Sequence, residues 1–436
     1  MKLIGTMKVN EQNHLEIGGC DVVDLQKTYG TPLVVVDETH VSSICKDYYK
    51  NFTEKTNGKA IVLYASKAFM TPSLCKIINK EKLGLDVVSG GELFMALKAG
   101  FPAEKIFFHG NNKSSEELNM ALDSGVGRIV IDNDDELEKL NRVAGDKGVK
   151  ANVLLRITPG IDAATHAFIR TGSVDSKFGF TLPNGDALKG VEKAYSLENI
   201  KFKGLHCHIG SQIFEMQSFK DAVGVMVNFI EEIKKTLNIV VEDLDMGGGF
   251  GIYYTEEDNP STIALYSENI LNTLESLIEE KGLLMPNVFV EPGRSIIGPA
   301  GSNLYTVGSV KNIPGVRKYV SIDGGMVDNI RPALYDAKYE VALGNRMDEI
   351  GTDVVTVTGK CCESGDILAR DIALPVAKAG DVLVMSSTGA YGYSMASNYN
   401  VLGKPAVVFV KDGESQLVIK RESHEDMMKN HILLDR

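Results

Sequence analysis

The chain has 436 residues, 44% hydrophobic and 24% charged, a composition that fills a large core and excludes intrinsic disorder. Its 46 Lys and Arg against 58 Asp and Glu leave a net charge of −12, which argues against nonspecific binding to nucleic acid or to anionic membranes. No apolar run reaches the ~20 residues that span a bilayer, Met1–Asn10 lacks a signal peptide's apolar core, and six cysteines without a CxxC motif fit a reducing cytoplasm.

The N-terminal segment up to residue 37 reads as extended and ends in the β-branched run 33–37 (LVVVD). From about residue 60 to 295 one unit then repeats, a short apolar run followed by an amphipathic stretch. The runs are 60–65, 83–89, 106–110, 128–132, 151–157, 202–209, 241–246 and 288–291. Between them, Ser114 with Glu117 forms a capping box and Gly125 a stop. Phe219, Ala222, Val223, Met226, Ile230 and Ile233 make one helical stripe; Ile270, Leu271, Leu274, Leu277 and Ile278, ended by Gly282, make another. Apolar strands alternating with helices predict a parallel sheet covered on both faces, and eight repeats predict a closed (β/α)₈ barrel over 38–300. After Arg294 strand-like runs follow without long helices: 304–310, 318–322, 353–358, 381–385, then 406–410 and 416–420 around the turn signal Asp412-Gly413. Residues 301–436, joined by 1–37, are therefore expected to form a mostly β domain.

Barrel enzymes carry their chemistry on loops at the C-terminal ends of the strands. Lys67 closes the first run within AIVLYASKAFM, where it either reaches solvent or sits desolvated as an amine able to form a Schiff base. The sixth run ends in His206-Cys207-His208-Ile209-Gly210-Ser211, with both histidines expected on one face. They suit a metal, a lid over a planar ligand or a satisfied core, but no partner ligand set is evident and no metal is expected. Gly247-Gly248-Gly249-Phe250-Gly251 follows the seventh run as a phosphate cradle or a tight turn. Glu291-Pro292-Gly293-Arg294 follows the eighth, as an ion pair or as partners for a ring nitrogen and an anion. Three loops beyond the barrel hold Arg331 and Tyr335, Cys361, Cys362 and Glu363, and Tyr391. Taken together, a Schiff-base lysine, a phosphate cradle, a planar stacker and a ring-nitrogen carboxylate describe pyridoxal 5'-phosphate (PLP).

The motifs YASKA, FHGNNKS, THAFIRTG…SKFGF, HCHIGSQI, GGGFG, EPGR, NIRPALYDA, CCESGDILARD and GAYGYSMASNYN run in one order along essentially the whole chain. In that order they resemble the diaminopimelate decarboxylase family of the fold type III, alanine racemase-like PLP enzymes. The resemblance implies a PLP-binding barrel followed by a β-domain, with meso-2,6-diaminopimelate converted to L-lysine and CO₂. It implies that Lys67 holds the cofactor covalently and that His208 stacks on its ring. Ser211, Gly248 and Gly249 would hold the phosphate, with Pro292 and Gly293 beside it, and Glu291 would face the ring nitrogen. Arg294, Arg331 and Tyr335 would grip the distal carboxylate, Glu363 the distal amine, and Tyr391 both cofactor and substrate. Cys362 would donate the proton, from a loop that crosses the interface of a homodimer. Ser66 and Phe69 depart from the family, which often has an aromatic residue before the lysine and Asn two residues after it. The remaining alternatives are a decarboxylase of ornithine, arginine or carboxynorspermidine, a noncatalytic PLP carrier, and a metal-dependent barrel hydrolase.

Overall fold

A computed structural model describes residues 1–160 and 176–435, so the THAFIRTG segment at 165–172 lies outside the described residues. Two compact units are present. One comprises Ile44–Gly251 and Asn259–Ser295; the other comprises Met1–Ser43, Ile252–Asp258 and Ile296–Arg436. The boundaries fall at Ser43 and Ser295, a few residues from positions 37 and 300, and nothing in the local sequence pattern marks Ile252–Asp258 as part of the second unit.

The first unit is a barrel of eight parallel strands. They are β1 (Ala60–Ala65), β2 (Gly84–Val87), β3 (Ile106–Phe108), β4 (Arg128–Ile131), β5 (Ala151–Thr158), β6 (Ile200–Cys207), β7 (Asp243–Asp245) and β8 (Asn287–Val290). Each strand pairs with the next, and β8 closes the ring on β1 through Val288↔Ala60 and Val290↔Val62. Every run expected from sequence overlaps one of these strands. The polar residues at the ends of several runs, His109, His208 and Glu291 among them, lie just past the last paired residue. Inside the barrel Leu63, Phe107, Val130, Leu154 and Phe289 form an apolar layer, with the Phe107 and Phe289 rings 4.7 Å apart.

The outer helices follow from their sequence signals. Ser114 accepts from the Glu117 amide while the Glu117 carboxylate accepts from the Ser114 amide, and Gly125 ends that helix in the left-handed conformation. Helix Met216–Leu237 buries Phe219, Ala222, Val223, Met226, Ile230 and Ile233; helix Ile263–Glu280 buries Ile270, Leu271, Leu274 and Ile278.

The second unit is built on one large sheet. Its order runs Ile367–Leu374, Asp353–Thr358, Arg317–Ile322, Gly301–Ile313, Leu33–Asp37, Ala406–Lys411 and Glu414–Ile419, with Val341–Leu343 and Val382–Met385 paired off the long strand Gly301–Ile313. The N-terminal strand Leu33–Asp37 thus sits in mid-sheet, antiparallel to Gly301–Ile313 and parallel to Ala406–Lys411. Asp412 and Gly413 both take positive φ, the geometry of a two-residue hairpin turn. The rest of the N-terminal segment is not simply extended. Val22–Tyr29 is a helix, because Asp21 caps the Val23 amide and Val22 and Leu25 share a buried face. Among the described residues, no helix is long and apolar enough to cross a membrane.

Candidate active site

The sequence breaks the strands at their C-terminal ends, and those breaks place the polar side chains of the barrel. β1 stops at Ala65, and a single 3₁₀ turn, Ser66–Ala68, carries Lys67 off the strand. The Lys67 side chain is 38% exposed and its Nζ lies 3.7 Å from Oδ2 of the fully buried Asp86 of β2. Ser66 and Phe69, the two departures beside the lysine, are both buried, and the Phe69 carbonyl accepts from the Tyr64 hydroxyl at 2.6 Å. Their identities are a packing matter. Burial raises the Asp86 pKa, opposed by His109 and reinforced by Glu291, and neither Asp86 oxygen takes part in a hydrogen bond.

Glu291 follows β8 directly, and its backbone N–H donates to the Gly247 carbonyl at 2.8 Å. Its side chain is buried. Oε1 lies 2.6 Å from His109 Nε2, and Oε2 lies 3.3 Å from His206 Nε2. The two imidazoles meet edge-on with centroids 4.8 Å apart. Burial alone would push Glu291 up, but the two histidines overcome it and hold the carboxyl well below the usual range. The neighbouring Asp245 goes the other way, driven well above its usual range by burial and by the Glu291 charge. The two carboxyls are thus pushed in opposite directions, Glu291 toward the ionised form and Asp245 toward the protonated one.

His206 and His208 do different things, because β6 ends at Cys207 and strand alternation no longer governs His208. His206 belongs to the floor around Glu291. The His208 ring accepts from the Gly248 amide at 3.3 Å through Nδ1, which orients it beyond the strand end. Burial, then the positive Lys67 and Arg156, hold His208 well below the usual imidazole range, so it is neutral.

The glycine run after β7 is required by backbone packing. Gly247 and Gly249 take positive φ, and a Cβ on Gly248 would lie 2.2 Å from the Glu291 carbonyl. Opposite it, Ser211 Oγ accepts from Arg294 Nε at 3.0 Å and from Nη2 at 2.9 Å. Pro292 and Gly293 bring Arg294 there: the Pro292 carbonyl accepts from the Ala65 amide, and a Cβ on Gly293 would meet Ala65 at 2.9 Å. The loops that carry Lys67, Glu291 and Arg294 are thus packed on one another.

The remaining sequence-selected residues belong to the second unit. Arg331 is buried, with Nη1 donating to the Tyr254 hydroxyl at 3.0 Å and to the Tyr339 hydroxyl. Tyr335 closes the same short helix, Arg331–Tyr335. Cys362 and Glu363 are exposed on a loop whose base is fixed by the buried Asp366, which accepts from the Cys361 and Met326 amides at 2.8 and 2.7 Å. Tyr391 is half-buried and holds a positive φ of 60°.

Sequence reasoning missed Asp86, His109 and Asp245 as members of the floor. Ligand-type atoms of His109, His206, Asp245 and Glu291 lie within 4.8 Å of one another, the partner set that a His-x-His pair did not reveal locally. His206 Nε2 hydrogen-bonds one Glu291 oxygen and His109 Nε2 stands in close ion-pair contact with the other, so we read the group as a carboxylate clamp. The available signal was a charged residue inside an otherwise apolar parallel strand, as in LGLDVVS and DLDM. Lys113 of FHGNNKS is instead structural: fully buried, it donates to the Gly110 and Val130 carbonyls and to Glu136.

This donor set fits PLP. It offers a strand-end lysine beside a buried carboxylate, a second buried carboxylate held toward its ionised form for a protonated ring nitrogen, and a serine, an arginine and close-packed glycine amides for a phosphate. Residues 39–298 match the family described as "Pyridoxal-dependent decarboxylase, pyridoxal binding domain". The diaminopimelate decarboxylase of Bacillus subtilis is 50% identical over 429 residues, covering 98% of each chain. Among solved structures, the diaminopimelate decarboxylase of M. jannaschii in complex with L-lysine superposes with a TM-score of 0.93 at 34% identity, over 99% of each chain. That of Helicobacter pylori, also with L-lysine, gives 0.86 at 31% identity over 94% of this chain and 98% of that one. The chain belongs to the diaminopimelate decarboxylases, fold type III enzymes that depend on pyridoxal phosphate.

Proposed function

We propose that the chain decarboxylates meso-2,6-diaminopimelate to L-lysine and CO₂, the last step of lysine biosynthesis, as a cytoplasmic homodimer. The observation that carries this reading is Glu291, a buried carboxylate kept ionised by two histidines at the same end of the barrel as Lys67. When bound, PLP supplies a conjugated ring that accepts the electron pair left behind as CO₂ departs. Glu291 keeps a proton on the ring nitrogen, which strengthens that acceptor and favours decarboxylation over racemisation. Lys67 Nζ is the amine that would hold the cofactor covalently. His208, oriented by the Gly248 amide, would stack on the cofactor, and Ser211, Gly248, Gly249 and Arg294, with Pro292 and Gly293 shaping their loop, would hold its phosphate. Arg294, Arg331 and Tyr335 bind the distal carboxylate, Glu363 the distal amine, and Tyr391 both ligands.

Cys362 delivers the proton to the α-carbon. Its exposure, with that of Glu363, supports a site completed across a two-fold interface, where each Cys362 loop faces the partner subunit's barrel. Arginine suits an anionic distal group because its guanidinium binds carboxylate bidentately, which separates this substrate from ornithine. The test is incubation with meso-diaminopimelate and, separately, ornithine. Stoichiometric CO₂ and L-lysine from the first and no CO₂ from the second are expected; preference for ornithine would overturn the assignment.

A further inference from the structure

We propose that His109 and His206 are positioning residues that clamp the two oxygens of Glu291. The proposal deepens the reading above and rests on its placing Glu291 at the ring nitrogen. The contacts form one string across the strand ends of the barrel, buried from Asp86 onward. Lys67 Nζ lies 3.7 Å from Asp86 Oδ2, Asp86 Oδ1 lies 3.7 Å from His109 Nε2, His109 Nε2 lies 2.6 Å from Glu291 Oε1, and Glu291 Oε2 lies 3.3 Å from His206 Nε2. Asp86, His109, His206 and Glu291 are all buried.

A carboxylate taken so far from water ordinarily gains a proton, because nothing replaces the hydration of its charge. Here an imidazole nitrogen stands at each oxygen, which stabilises the charged form and fixes the plane of the carboxylate. Burial pushes His206 down to about 3, so that ring is neutral and has one N–H. Donating it from Nε2 to Glu291 leaves Nδ1 as the bare nitrogen, and Nδ1 has no hydrogen-bond partner. The other ionisable groups facing Glu291 are Asp245, Asp86, Arg156, Cys207 and His208, with Lys67 beyond Asp86. Burial pushes the Asp245, Asp86 and Cys207 pKa values up, toward the neutral forms, while Arg156 adds a positive charge. The histidines thereby set how firmly a proton is held at the ring nitrogen without touching the reacting atoms.

The test uses holoenzyme loaded with PLP isotopically labelled at the ring nitrogen, read by NMR, beside steady-state kinetics. In the wild type the nitrogen is expected protonated at neutral pH. In His109→Leu and His206→Leu the signal should move toward the unprotonated value, with kcat down roughly tenfold or more and KM nearly unchanged. His206→Gln, whose amide N–H can stand near the Nε2 position, should recover most of both. With a cofactor analogue carrying carbon in place of the ring nitrogen, wild type and leucine variants should become equally slow, which a general packing defect would not produce. If a leucine variant does not fold, the asparagine variant at that position, polar but too short to reach Glu291, is judged by the same criteria. A wild-type nitrogen signal and kcat in the histidine variants, with Glu291→Gln displacing both, would overturn the clamp and leave the underlying reading intact. A wild-type signal in Glu291→Gln as well would overturn the reading itself.

Discussion

Arg331 shows what one side chain contributes and how it can be weighed. Its guanidinium is buried between Tyr254 and Tyr339 and donates to both hydroxyls. The rings hold the planar group in one orientation, leaving further N–H groups for a bidentate acceptor. In the proposed role, Arg331→Ala would remove a charge-assisted contact worth about 1.5–3 kcal/mol, so kcat/KM on meso-diaminopimelate should fall roughly tenfold or more. Cofactor loading, followed by visible absorbance, should be unchanged. Unaltered kcat/KM would mean that the distal carboxylate is bound elsewhere. The partners of single residues were the least legible part of the site. Lys67, His208 and Glu291 stand out locally because each ends an apolar run. The floor beneath them joins Asp86, His109, His206 and Glu291 from four separate strand ends, and no local period encodes such a contact.

At the scale of elements, the glycine run after β7 and the cap at Ser114 make opposite predictions. A methyl group at residue 248 would collide with the Glu291 carbonyl, which is backbone and cannot rotate away. Gly248→Ala should therefore destabilise by roughly 1–3 kcal/mol and weaken PLP retention, read by thermal melting and by cofactor loss on dialysis. A wild-type melting temperature with full PLP would show that the loop can shift without consequence. Ser114→Ala removes only a cap, costing about 1 kcal/mol, and should lower stability while leaving kcat/KM at the wild-type value. The barrel strands were legible because a parallel sheet covered on both faces must be apolar throughout. Several elements of the second unit were not. Helix Val22–Tyr29 carries only Val22 and Leu25 on its buried face, too short a stripe to stand out. Strand Ile367–Leu374 alternates irregularly, with exposed Arg370 and Asp371 at its centre and a positive φ at Asp371.

For the whole molecule, the proposed dimer divides the chemistry between subunits, with Lys67 and Glu291 supplied by one barrel and Cys362 by the partner subunit. Lys67→Ala and Cys362→Ala homodimers should each be nearly inactive. After subunit exchange about half of the dimers should be mixed, and each mixed dimer regains one intact site of two, so activity should recover to roughly a quarter of wild type. Verified exchange without recovery would place the whole site in one subunit. Underlying every role assigned here is the position of the cofactor at the end of β1. Borohydride reduction of the active holoenzyme followed by peptide mass spectrometry tests it directly. The expected result is a single pyridoxyl adduct on Lys67; an adduct on another lysine, or none in fully active protein, would contradict the site.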